Sequence, residues 1–191
     1  ELSRRTEIIK TTLANQLVDY VSRRTADAWG ASQILVSTAP NPAVDQRIFD
    51  TIIPSAYDGA CLCWGPVDGG QHAAETAWTI MAHLSRGRTI SPEIIGHLLD
   101  AQRSGGAWPL YFDALPESAS SSTYATSLLA LTLYDYGHAA KIDSQLKSRI
   151  DFAIAQAGAW LFAHRPGKGG RWIDYPESNV RQIASRGLSA F

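Results

Sequence analysis

Three stretches of this chain share one layout: a helix-like run, a stop, a tryptophan, a polar loop, then a second run rich in small residues. They read IIPSAYDGACLCWGPVDGGQHAAETAWTIMAHL, LLDAQRSGGAWPLYFDALPESASSSTYATSLLALTL and AWLFAHRPGKGGRWIDYPESNVRQIASRGLSAF. In the central copy the helical spacing of Ile94, Ile95, Leu98 and Leu99 ends at Gly105 and Gly106, and Trp108 follows almost at once. A helix end leaves about four carbonyls unpaired, and a glycine turn folds the chain back beneath them. An indole placed there can give its N–H to a carbonyl while its ring packs against Gln102 or a neighbouring hairpin. Gln102, Gly106 and Trp108 are therefore expected to fasten one helical hairpin to the next, with Trp64, Gly170 and Trp172 as their counterparts in the flanking copies.

The rest of the chain also reads as helix. Ile9, Leu13, Leu17, Tyr20 and Val21 mark an amphipathic helix between Leu2 and Arg24, and a short one is expected around Ala31 to Val36. Asn41 with Pro42 opens a helix carried by Val44, Ile48 and Ile52 until Pro54 interrupts it. Ala74, Ala77, Trp78, Met81 and Leu84 give the next, and Ser91 with Pro92 opens the one that leads to Gly105. Leu128, Leu129, Leu131, Leu133 and Tyr134 cover nearly every face of an inner helix. Leu146, Ile150, Ala153, Ala157 and Trp160 define an outer one, and Val180, Ile183, Leu188 and Phe191 begin a last. No period-2 alternation long enough for a strand is present. The expectation is an all-α domain over 1–191, with N-terminal helices in 1–53 and three hairpin repeats in 54–191. The chain starts at Glu1 and ends within a helical pattern, and is expected to be a piece of a longer protein.

Lys+Arg 17 against Asp+Glu 18 leaves a formal charge of -1, so no overall field favours nucleic acid. No apolar run approaches the roughly 20 residues of a membrane span, and no secretory leader is visible, which points to a cytoplasmic protein. Cys61 and Cys63 are too few for a disulfide framework, and a bond between them across an extended segment would be strained. Arg171, Asp174, Glu177 and Arg181 read as a solvated, salt-bridged rim, and His97, His138 and His164 as helix-end histidines.

Gln102, Gly106 and Trp108 form Q-x-x-x-G-x-W, which resembles the QW motif of squalene-hopene cyclases and their terpene-cyclase relatives. The following TYATSLLAL resembles the inner helix of those cyclases and of protein prenyltransferase β subunits. In the first copy Asp58 takes the glutamine position and Leu62 the glycine; in the third, His164 or Pro166 stands where glutamine would be. The resemblance implies an α/α toroid, here partial, built from helical hairpin repeats. It also implies a place for catalysis: HAAETA, His72 to Ala77, matches the D-x-D-D-T-A segment that carries the protonating acid in squalene-hopene cyclases. Ala74 occupies the position of that acid, and alanine cannot protonate an alkene.

The expectation is thus a non-catalytic, recognition or scaffold module of a larger bacterial protein. Its partner would be a protein or another domain of the same chain. The alternative is a fragment of an active cyclase or prenyltransferase acting on an isoprenoid or other apolar ligand, with Glu75, Asp58 or His72 as substitute catalytic groups. No cofactor is expected as the first choice. The second choice is zinc on Cys61, Cys63 and His72, ligand types that zinc accepts.

Overall fold

A computed structural model describes residues 12, 16, 27–65, 72–113, 121–139, 141–168 and 170–176. The expected helices at Leu2–Arg24 and Val180–Phe191 lie outside these, apart from Thr12 and Gln16, which are helical. The described chain is predominantly helical: α1 (Ala28–Ser37), α2 (Pro42–Arg47), α3 (Ala73–Ser85), α4 (Pro92–Asp100), α5 (Thr123–Ala139) and α6 (Ser144–Ala163). None of the described helices is long and apolar enough to cross a membrane.

Short polar side chains start these helices. Asp27 accepts from Gly30 N–H at 2.7 Å, Asn41 from Ala43, Ser91 from Glu93, Ser122 from Ala125 and Asp143 from Leu146. Asp27 explains why α1 begins three residues before the expected Ala31. Pro54 does not interrupt the second helix. Beyond Arg47 the chain widens into a π turn, Ile48–Ile52, and closes with one α turn, Ile53–Ser55. Ile53 N–H reaches back to Ile48 C=O, so the proline, which has no N–H to give, enters just after a shift in hydrogen-bond register. The expectation of no strands also needs correction: Tyr57–Asp58 pairs antiparallel with Cys63–Trp64. That hairpin is too short to show alternation in the sequence.

α1, α3 and α5 pack side by side, α3 in the middle. They are parallel. The first turns of α1 and α5 meet where Trp29 stacks near Tyr124, and their last turns meet α3 around Val36, Leu84 and His138. Small residues allow the close approach: Ala31, Ala74 and Ala77 are fully buried, and the buried hydroxyls of Ser32 and Thr79 bond across α1 and α3 at 3.2 Å. The helices between return the chain. α6 runs back along α5, with Gly137 facing Ile150, and α4 lies beside α6. Arg86 ties the far end of α1 to α2, donating to Thr38 C=O at 3.0 Å and to Asp45 at 2.9 Å. Leu131 and Tyr134, expected inside, are 48% and 53% exposed: α5 keeps one apolar strip open.

The two tryptophan loops supply the joints. Trp108 is wholly buried and its Nε1–H donates to Leu98 C=O at 2.7 Å, covering the end of α4. Gln102 Nε2 donates to Gly106 C=O at 2.8 Å and to Ala153 C=O of α6 at 2.9 Å. Gly106 has φ +92, and a Cβ there would stand 2.5 Å from Gln156 O. Only glycine allows both the turn and the contact with α6. Main-chain N–H groups of Trp108 and Trp64 donate to Thr126 and Thr76, each at 2.9 Å, so the same bond recurs in the first turns of α5 and α3.

Candidate functional site

The N-terminal ends of α1, α3 and α5 carry the densest group of aromatic and acidic side chains. His72 caps α3 through Nδ1, which accepts from Glu75 N–H at 3.3 Å. Its ring lies 5.1 Å from Trp29 and 5.0 Å from Tyr111. Trp29 stacks with Tyr124 at 6.3 Å, and Trp78 Nε1–H donates to the Tyr124 hydroxyl at 3.1 Å. Trp29, Trp78 and Tyr124 are half-buried and Tyr111 is exposed, so the rings form an open rim.

Glu75 lies beneath that rim, 2% exposed. Burial holds its carboxyl above the ordinary range, and the Asp27 carboxylate adds to the effect; the backbone N–H groups of Trp29 and Ala28 partly offset it. Glu75 therefore reaches from α3 to the first turn of α1, where free N–H groups and the helix dipole favour a carboxylate. Its Oε1 has no hydrogen-bond partner among the described residues. Burial pushes the His72 imidazole below its usual value, which matches a neutral ring accepting through Nδ1.

The other inner helix starts are covered by the chain of the following copy. Leu110 C=O accepts from Ala73 N–H at 2.9 Å above α3. Above α5, Ile173 C=O accepts from Thr123, and Asp174 accepts from the Ser122 hydroxyl at 2.8 Å and from Tyr124 N–H. Asp174 is thus a cap for α5 and not part of a solvated rim; Glu177 and Arg181 lie outside the described residues. Tyr175, two residues beyond Ile173, has its phenol pushed up to about 12 by burial, Asp174 and Tyr111.

The candidates named from the sequence are not all brought together. Glu75 and His72 share the rim. Asp58 sits exposed on the small hairpin, its Oδ1 accepting from Ala60 N–H at 2.9 Å. Ala74 is fully buried against the inner row. Cys61 and Cys63 are joined to each other as a disulfide. Leu62 between them is left-handed, φ +55, not extended as expected, and their Cα atoms are 5.2 Å apart. Both thiols are thereby removed as zinc ligands. Among the described residues no group of three or more His, Cys, Asp or Glu is placed to hold a metal.

Gly170 closes a turn by donating to Gly167 C=O at 2.8 Å, and Trp172 is half-buried two residues later. His138 and His164 donate to the carbonyls four residues earlier, at 2.7 and 2.8 Å. Sequence reasoning missed Asp27, Trp29, Tyr111 and Tyr124 as members of the rim. One signal was available: W-x-x-Y occurs in both WPLY and WIDY and places Tyr111 and Tyr175 over successive helix starts. No protein-family model, no curated protein and no solved structure matches this chain.

Proposed function

We propose that this chain is a non-catalytic recognition or scaffold module of the α/α-toroid type, working within a larger protein. Its binding surface would be the aromatic rim at the N-terminal end of the inner row. The observation that carries the reading is the rim itself. Trp29, Trp78, Tyr111 and Tyr124 keep exposed area at one end of three parallel helices, while the acid below them is engaged with the first turn of α1. Half-exposed aromatic rings of this kind suit a partner's apolar groups. Three parallel inner helices with returning outer helices support a toroid-like arrangement, continued by neighbouring sequence or by another domain.

A second reading, a fragment of an isoprenoid-processing enzyme, draws on Glu75 alone. A carboxyl raised by burial, with one oxygen unpartnered and aromatic rings above it, has properties that a proton donor needs. One experiment separates the two. The protein and its Glu75→Gln variant are incubated with squalene and with prenyl diphosphates, and products are followed by mass spectrometry. The recognition reading expects no product from either protein. Product from the wild type that is lost in the variant would overturn it in favour of the enzyme.

A further inference from the structure

At the opposite end of the three parallel helices, the last turns of α3 and α5 and the loop into α4 line a half-open cavity of about 450 Å³. That size lies within the range of small-molecule sites. Its apolar wall is Leu84, Ile90 and Ala139. Leu84 and Ala139 also line a second cavity of about 410 Å³, whose wall mixes the apolar Val36 and Met81 with Ser85, Asp135 and His138.

Three polar side chains line the first cavity. Tyr136, 2% exposed, lines it from α5. Arg88 follows Gly87, whose φ of +64 turns the chain at the end of α3, and its guanidinium lies 3.9 Å over the Phe49 ring with no acidic partner among the described residues. Lys141, just beyond α5, likewise has none. Two cations from separate loops and a buried phenol O–H make a donor-only set beside an apolar chamber. Such a set matches a negatively charged head with an apolar chain behind it.

We propose that this cavity binds an anionic amphiphile, a carboxylate- or phosphate-headed molecule with an unbranched apolar chain. Arg88, Lys141 and the Tyr136 hydroxyl would hold the head, and the chain would run past Leu84 toward Met81. The site is at the far end of the helices from the aromatic rim and does not depend on the function proposed for the rim.

Isothermal titration of the whole chain with decanoate, decyl phosphate, decanol and inorganic phosphate tests this, with anionic phosphatidylglycerol vesicles as the membrane-bound source of the same chemistry. The expected result is saturable binding of decanoate or decyl phosphate below their micelle concentrations, at least tenfold tighter than decanol or phosphate alone. The Arg88→Gln/Lys141→Gln double variant should lose at least tenfold in affinity, and Tyr136→Phe, which keeps the ring and the fold, should lose several-fold. Vesicle binding without binding of the free amphiphiles would overturn the cavity site in favour of a membrane surface. Equal binding of decanol and decanoate, or no loss in the double variant, would overturn the role of the cations.

Discussion

The Trp64 and Trp108 loops share a backbone and differ in what the side chains do with it. In both, the residue two before the tryptophan is left-handed, Leu62 at φ +55 and Gly106 at φ +92. In both, the tryptophan N–H goes to a threonine in the first turn of the next inner helix. From there they diverge. Gly106 lets its loop press on Gln156, Gln102 spans to Ala153, and the Trp108 indole N–H meets Leu98. Asp58 accepts from Ala60 N–H within its own hairpin, and the Trp64 indole N–H is buried without a partner among the described residues. The turn and the threonine are what the copies have in common. In the second copy Gln102 and Trp108 add side-chain ties to Ala153 and Leu98.

That contrast gives graded expectations. Trp108→Ala removes a fully buried indole and its carbonyl contact and should cost about 3–5 kcal/mol in urea unfolding. Trp64→Ala should cost less, since no indole hydrogen bond is lost; equal losses would break the comparison. Gly106→Ala must push Gln156 backbone aside and should cost about 1–3 kcal/mol. Leu62→Gly should stay within about 1 kcal/mol of wild type, because relief of a left-handed leucine offsets the added freedom of glycine in the unfolded chain. A loss there as large as that of Gly106→Ala would mean that the two turns are not equivalent. Gln102→Ala removes the side-chain donor to Gly106 and Ala153 C=O and should cost about 1 kcal/mol.

The inner helices that follow the loops differ in pH response. α5 is capped by the Ser122 hydroxyl together with the Asp174 carboxylate, and α3 by the His72 imidazole. Burial lowers the His72 value, so its neutral form supports the fold: that stability is present above the ordinary 6.5 and is lost as pH falls through the lowered value. Glu75 has the opposite sign. Its raised value means a contribution present below the ordinary 4.5 and lost as pH rises through the raised one. His72→Asn keeps a good cap without the titration. Unfolding midpoints from pH 4 to 8 should show a smaller loss on the acid side for this variant. An unchanged profile would show that His72 does not contribute to it.

Much of the helical framework was legible, because proline, asparagine and serine caps and three- and four-residue apolar spacing are local signals. The role of Trp108 was legible for the same reason: a glycine stop with an indole behind it has few uses. The Cys61–Cys63 bond was not, because it depends on the backbone angle of Leu62, which no propensity favours. Pro54 continues a helix because a π turn precedes it, and such turns have no reliable sequence mark. The rim was only half legible. Glu75 and His72 stood out in HAAETA, but Asp27, Trp29 and Tyr124 reach them through parallel packing of helices some 45 residues apart in sequence.

Hydrogen exchange at the two indole N–H groups measures the contrast most directly. Trp108 Nε1–H, bonded to Leu98 C=O, should exchange only in the largest openings of the fold, and Trp64 Nε1–H much faster through local opening of its loop. Equal exchange rates at the two indoles would contradict the claim that the Trp108 indole ties its loop to the helix end while the Trp64 indole does not.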